Sequence, residues 1–215
     1  MRRVLMVLAM LLPLAGCSTD KPAPAPAPTS TPTPAASTPK PLTAVVVTRP
    51  KRRLLKGSSD DVSADKHKSI TQQVVAKLQQ RTQLIAGFEA KTTVQCPTIR
   101  LKAGAVSDCT VTYSGQTVKW RVTIAKNYKP GVDYLAVYEA KPLQGVLLRE
   151  SVYANWYQLS GGDSELRCDD MPAAQVVTIG AKTPYRCEVL TPTLGGGAFW
   201  LLVPVTLSEV GVIFS

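Results

Sequence analysis

The stretch Asp108-Cys109-Thr110-Val111-Thr112-Tyr113-Ser114-Gly115-Gln116-Thr117-Val118-Lys119-Trp120-Arg121-Val122-Thr123-Ile124 decides the fold. Val118, Trp120, Val122 and Ile124 alternate with Thr117, Lys119, Arg121 and Thr123, a period of two that gives a strand one apolar and one polar face. Ser114-Gly115 supplies the hairpin turn ahead of it. The apolar face needs a cover, and the residues upstream provide one. Ser69-Ile70-Thr71-Gln72 fits a capping box, Ile70, Val74, Leu78 and Ile85 form one helical stripe, and Gly87 is a stop signal. A helix on one face of an antiparallel sheet buries both apolar surfaces, so the expected class is α+β.

The same order of landmarks returns further along. Cys96, Gly104-Ala105, Cys109 and Trp120 are matched by Cys168, Gly180-Ala181, Cys187 and Trp200. Before the second set, Leu148, Val152, Trp156 and Leu159 stand at helical spacing and Gly161-Gly162 ends the run. The expectation is two tandem repeats, residues 43–142 and 143–215, each a helix packed on a small antiparallel β-sheet with one disulfide. A module of about 75 residues has a thin core, which a disulfide staples. Four cysteines allow three connectivities. The repeat selects Cys96 with Cys109 and Cys168 with Cys187, each worth roughly 3 kcal/mol in the chain-entropy account. Cross-repeat pairing is the alternative.

Val94-Gln95-Cys96-Pro97, Gly104-Ala105 and Asp108-Cys109-Thr110-Val111-Thr112, followed by a glycine turn and an alternating strand, resemble small extracytoplasmic Cys-Pro domains of unknown function common in actinobacterial lipoproteins and membrane proteins. In the second copy Asp169 stands where the proline would be, so its assignment rests on the internal repeat. The resemblance implies a location and a fold rather than an activity. Tandem disulfide-bearing α+β modules are also similar in architecture to secreted actinobacterial beta-lactamase inhibitor proteins, although the Gly-Met-Thr helix start of that family is missing. That likeness serves as an analogy for how such a scaffold can bind proteins.

The N-terminus has the three parts of a secretory signal: Arg2-Arg3, an apolar run from Val4 to Leu14, then small residues. Leu14-Ala15-Gly16-Cys17 resembles the lipobox of bacterial lipoproteins, which implies removal of residues 1–16 and acylation of Cys17. Residues 17–42 are then the lipidated cysteine and a Pro/Ala/Thr-rich linker. Such a chain buries no core and extends at about 3.1 Å per residue as polyproline II. The expected location is the extracytoplasmic face of the cell membrane, where four remaining cysteines form disulfides rather than metal or redox sites.

Charge narrows the function further. The chain carries 25 Lys and Arg against 15 Asp and Glu, with one His. The surplus is uneven: residues 71–142 hold ten basic and four acidic side chains, residues 143–215 four and seven. Lys51, Arg52, Arg53 and Lys56 lie just beyond the linker and are candidates for contact with anionic lipid or a wall polymer. An exported protein rarely meets nucleic acid, so that partner is not expected. A single His and no clustered ligand spacing argue against a zinc hydrolase or a His-based triad, and no cofactor or metal is expected. Asp163, Glu165, Asp169 and Asp170 surround Cys168 without the Asp-x-Asp-x-Asp-Gly order of a calcium loop. His67 belongs to a polar helix-start region, and Gly195-Gly196-Gly197 reads as a hairpin loop.

Phe199-Trp200-Leu201-Leu202-Val203-Pro204-Val205 is apolar on both strand faces, which predicts a strand covered on both sides, by packing between the repeats in the favoured reading or by a partner protein in the alternative, with Pro204 at a sheet edge. The functional expectation is a non-catalytic envelope lipoprotein that binds or scaffolds a protein or cell-wall component. The alternative is an inhibitor of a secreted enzyme or a phage-exclusion factor. A wall hydrolase acting through Asp169 and Asp170 is the remote alternative.

Overall fold

Ser69 opens the first helix as its neighbours in sequence dictate. Its hydroxyl accepts the Gln72 N–H at 3.3 Å, and the Gln72 side chain accepts the Ser69 N–H at 2.9 Å. Helix α1 runs Ile70–Ala86 and buries Ile70, Val74, Leu78, Thr82 and Ile85 on one stripe. Gly87, at φ 88°, closes it by donating its N–H to the Gln83 and Leu84 carbonyls. Only a residue without Cβ takes that left-handed turn at no cost. The computed structural model describes residues 45–47, 49–55, 69–129, 138–161 and 165–214. The signal-like segment, Cys17, the proline-rich linker, Lys56, His67 and Asp163 lie outside them.

Among the described residues the elements that follow β1 (Val45–Val46) and α1 are β2 (Thr92–Gln95), β3 (Val106–Tyr113), β4 (Gln116–Ile124), β5 (Tyr138–Pro142) and β6 (Gln144–Leu148). Then come α2 (Arg149–Ser160), β7 (Leu166–Cys168), β8 (Ala174–Thr178), β9 (Lys182–Pro192), β10 (Ala198–Ser208) and β11 (Gly211–Phe214). The chain is thus a mixture of helices and antiparallel sheets, an α+β fold. One sheet has the order β2-β3-β4-β5, a second β1-β7-β9-β10-β11, and β6 pairs with β8 in a two-stranded ribbon. Ser114 and Gly115, at φ 47° and 85°, make the two-residue turn between β3 and β4. Val118, Trp120, Val122 and Ile124 are all buried, as their alternation requires.

Both expected disulfides are present. Cys96 bonds Cys109 across a separation of 13 residues, and Cys168 bonds Cys187 across 19. In each case a bridge joins the first strand of a four-strand run, or its immediate end, to the next strand in the sheet. The longer second interval holds β8, which leaves its own sheet and pairs with β6 in the register Gln144↔Thr178 to Leu148↔Ala174. The N-terminal β1 also crosses over, pairing Val45 with Cys168 and Val46 with Arg167.

The core is continuous between the two main sheets. Val74, Leu78 and Ile85 of α1 belong to one cluster with Val111, Trp120 and Val122 of the first sheet, Val146 and Leu147 of the ribbon, and Leu166, Cys187, Val205 and Leu207 of the second. Gly145 sits where these layers press closest. A Cβ there would meet Leu207, Ile179 and Ile85 side-chain carbons at 2.7 to 3.0 Å. The absent side chain lets β6 lie between α1 and β10.

Two expectations need correction. Trp120 is opposite Cys109 in the β3–β4 register, whereas the residue opposite Cys187 is Val203. Trp200 lies three positions earlier, opposite Leu190, and stacks under the Arg167 guanidinium at 3.9 Å. The two tryptophans are landmarks in sequence but not equivalent in space. The second correction concerns the apolar run on β10. Phe199 is 48% exposed, Leu201 46% and Leu202 39%, so among the described residues packing between the halves does not cover these three side chains. The reason is reach: β11 pairs only with Val205 to Ser208, and β7 pairs with β9 only at Cys187 to Val189. The outer part of the β9–β10 hairpin extends past both neighbours. The same correction extends to the edge expectation for Pro204: β10 lies between β9 and β11, and Pro204 sits at a register shift one residue before pairing with β11 begins.

Candidate binding surface

Helix α2 sets the geometry of an open apolar concavity. It has no side-chain cap at Leu148 and is held instead by its flanks. Arg149 N–H donates to the Ala173 carbonyl at 3.2 Å, the Asn155 amide donates to the Val212 carbonyl at 2.7 Å, and the Tyr157 hydroxyl donates to the Val47 carbonyl at 2.9 Å. These bonds fix the helix against β11 on one side and the segment after β1 on the other. Ser151, Val152 and Ala154 are buried. Leu159, expected on the buried stripe, is 68% exposed, because the stripe turns away from the sheet at the last turn.

Between the outward end of α2 and the face of β9, β10 and β11 runs a groove of about 610 Å³. Trp156 and Phe214, edge to face at 5.6 Å, form part of its lining, and Leu159, Leu201, Val203 and Ile213 complete its apolar wall. Aromatic pairs in this geometry form a rigid platform. An open apolar surface of this kind is a feature of interaction sites rather than of a covered core. Sequence reasoning marked Trp156 as a helix-face residue but had no signal that would bring it to Phe214.

The basic segment has a more divided role than its composition implied. The Arg52 guanidinium lies over the Phe88 ring at 4.2 Å, donates to the Glu89 carbonyl at 3.1 Å and meets the Glu150 carboxylate at 3.5 Å. It therefore pins residues 49–55 to the body. Leu55 N–H donating to the Gly87 carbonyl at 2.9 Å adds a second attachment. Lys51 and Arg53 are exposed. Arg49, Arg52 and Arg53, with Tyr157 and Gln158 of α2, line a cleft of about 540 Å³. Its cationic rim suits an anionic group.

The acidic residues near Cys168 are separately engaged. Asp169 accepts the Arg186 N–H at 2.8 Å and lies 3.6 Å from that residue's guanidinium, whereas Asp170 is 3.8 Å from Arg149. Glu165 pairs with Arg167 at 3.3 Å. Elsewhere, Arg121 holds the Asp108 carboxyl below its ordinary range through a hydrogen bond at 2.9 Å. Burial raises the hydroxyl pKa of Tyr113, Tyr138 and Tyr153. Among the described residues no group of three His, Cys, Asp or Glu is placed to hold a metal ion, and no helix is long and apolar enough to cross a membrane.

Comparison with known proteins finds no matching family model, no matching curated protein and no matching solved structure.

Proposed function

We propose that the chain is an envelope lipoprotein, anchored through Cys17 on the extracytoplasmic face, whose folded part is a non-catalytic module that binds or scaffolds a protein or cell-wall component. The groove between α2 and β9–β11 carries this reading, because its apolar wall of Leu159, Leu201 and Ile213 stands open beside a rigid Trp156–Phe214 platform. Lys51, Arg53 and Lys56, just beyond the linker, supply positive charge for the anionic surface to which the anchor brings them. Two copies of one unit account for the build. In support, each half has a helix, a sheet with its last three strands in the same order, a Gly-Ala pair before the second bridged cysteine, and a disulfide.

Two measurements test the proposal. Fatty-acid labelling of the full chain in a lipoprotein-processing host is expected to modify the parent and not the Cys17→Ala variant; label in both would remove the anchor. A photo-crosslinker at Leu159 in the anchored chain is expected to give one discrete envelope adduct that Trp156→Ala abolishes. The same probe at Thr117, on the polar face of β4, is expected to give none. Indistinguishable patterns from the two positions would defeat the groove as a binding surface.

A further inference from the structure

The open part of β10 has a hydrogen-bonding direction that can be read from its hairpin. Thr193 N–H donates to the Gly197 carbonyl at 2.8 Å, and the register continues Phe199↔Thr191, Leu201↔Val189 and Val203↔Cys187. In an antiparallel ladder the hydrogen-bonded pairs alternate with non-bonded ones, so these odd positions point their backbone groups at β9. Trp200, Leu202 and Pro204 point theirs the other way. That side is occupied by β11 only from Val205 onward. Among the described residues Ala198 to Pro204 is therefore a free edge whose outward donors are the N–H groups of Ala198, Trp200 and Leu202, with Pro204 contributing a carbonyl alone.

Edges of this kind are ordinarily blunted with charge, yet no charged residue occurs between Glu188 and Glu209. Leu201 is the midpoint of the free segment. A two-fold axis through Leu201 sets Trp200 opposite Leu202 of a second strand and Ala198 opposite Pro204. Both free edges are then paired, and the missing proline N–H falls at the terminal position, where the Ala198 N–H of the other strand donates to the Pro204 carbonyl and the end-of-strand Ala198 carbonyl is left to solvent. On the groove side the axis stacks Leu201 on Leu201 and Phe199 on Val203; on the other side it sets Trp200 beside Leu202. Every facing pair is apolar, and a strand meeting its own copy must avoid charge, since like charges would be brought together.

We infer that the free edge of β10 pairs antiparallel with β10 of a second copy of this chain, about a two-fold axis at Leu201, joining the two five-stranded sheets and their grooves. Insertion of the hairpin into lipid is the weaker occupant, because a bilayer core leaves the Trp200 and Leu202 backbone groups without partners, whereas a strand satisfies them. The inference goes beyond the binding reading and is independent of what fills the groove.

The test is disulfide trapping in the full-length, membrane-bound chain. In a non-bonded pair the two Cα atoms are about 4.5 Å apart, within disulfide range. Leu201→Cys is expected to give a covalent dimer on mild oxidation. Leu202→Cys, two residues out of register with its own copy and beyond the reach of about 7 Å, is expected to stay monomeric. Adding Leu202→Pro to Leu201→Cys removes an edge N–H while sparing the β9 ladder, and is expected to lower dimer yield roughly tenfold or more. Unchanged thermal unfolding of Leu201→Cys confirms that the fold persists. With that fold intact, absence of the Leu201→Cys dimer, equal trapping at 201 and 202, or trapping to a different protein overturns the inference. So does quenching of Trp200 fluorescence by brominated lipid in place of trapping. Any of these leaves the Leu159 crosslinking result standing, and failure at Leu159 leaves the dimer standing.

Discussion

The Arg81 guanidinium of α1 meets the Glu209 carboxylate of the β10–β11 turn at 3.1 Å, joining residues 128 apart in sequence. The same side chain donates to the Ala140 carbonyl at 2.6 Å and lies over the Trp120 ring at 5.4 Å. It thus ties the first helix to the edge strand of one sheet and the terminal hairpin of the other. Arg81 is only 13% exposed, whereas Glu209 is 46% exposed, so the carboxylate is the more replaceable partner.

Arg81→Ala is expected to lower unfolding free energy by about 2 kcal/mol, the scale of hydrogen bonds from a charged donor to partly buried acceptors. Glu209→Gln is expected to cost less than about 1 kcal/mol, as solvent screens that end. Arg81→Lys restores only part of the loss, because an ammonium does not reproduce the forked geometry. Urea denaturation of the three variants separates these cases; a larger loss for Glu209→Gln than for Arg81→Ala would contradict the account.

The two tryptophans are expected to behave differently despite their matching places in the sequence. Trp120 is fully buried among Val111, Val122 and Leu78, and its replacement by Ala is expected to cost about 3–5 kcal/mol. Trp200 is stacked under Arg167 at the surface, so Trp200→Ala is expected to cost about 1 kcal/mol or less in the monomer. Comparable losses in thermal unfolding at low protein concentration would mean that the two positions are equivalent after all.

The disulfides differ in accessibility. Cys168 and Cys187 are fully buried, whereas Cys96 is half-buried beside the irregular segment that follows β2. A small thiol reductant is expected to open Cys96–Cys109 first, as followed by alkylation and mass spectrometry under native conditions. Replacing either pair by Ala is expected to destabilise by roughly 3 kcal/mol. Faster opening of Cys168–Cys187 would count against the burial argument.

Stability is expected to fall at alkaline pH. The folded pKa values of Tyr113, Tyr138 and Tyr153 are raised by burial above the ordinary 10.0. Their contribution is complete below pH 10 and is lost above it, because the unfolded chain releases phenolic protons first. The Tyr113 hydroxyl donates to the Phe88 carbonyl at 2.8 Å, so ionisation also removes a bond next to the Gly87 turn. Tyr113→Phe is expected to start less stable and to show a shallower decline from pH 9 to 11. An identical slope in urea titrations of parent and variant would exclude Tyr113 as a contributor.

Local order was legible wherever neighbours in sequence are also neighbours in space. The Ser69 capping box, the Gly87 stop, the Ser114-Gly115 turn and the alternation from Val118 to Ile124 each involve residues a few positions apart, and each is found as expected. The pairing of Cys96 with Cys109 and of Cys168 with Cys187 followed from recurrence of a short motif, a pattern that survives changes in loop length. Leu159 and the run from Phe199 to Leu202 misled for the opposite reason. Apolarity states what a side chain avoids, and not whether another segment reaches far enough to cover it.

Sequence alone determined the class of the fold, the two stapled cysteine pairs and the helix and hairpin that anchor the first sheet, because these follow from periodicity, capping and turn chemistry. Tertiary structure decided what those elements meet. It sent β1 to β7 and β8 to β6, set Val203 opposite Cys187, placed Arg81 against Glu209 and, among the described residues, left the end of β10 open. Each of these depends on strand lengths and crossing directions summed over more than a hundred residues, and a single added or missing ladder position moves an apolar face from core to solvent.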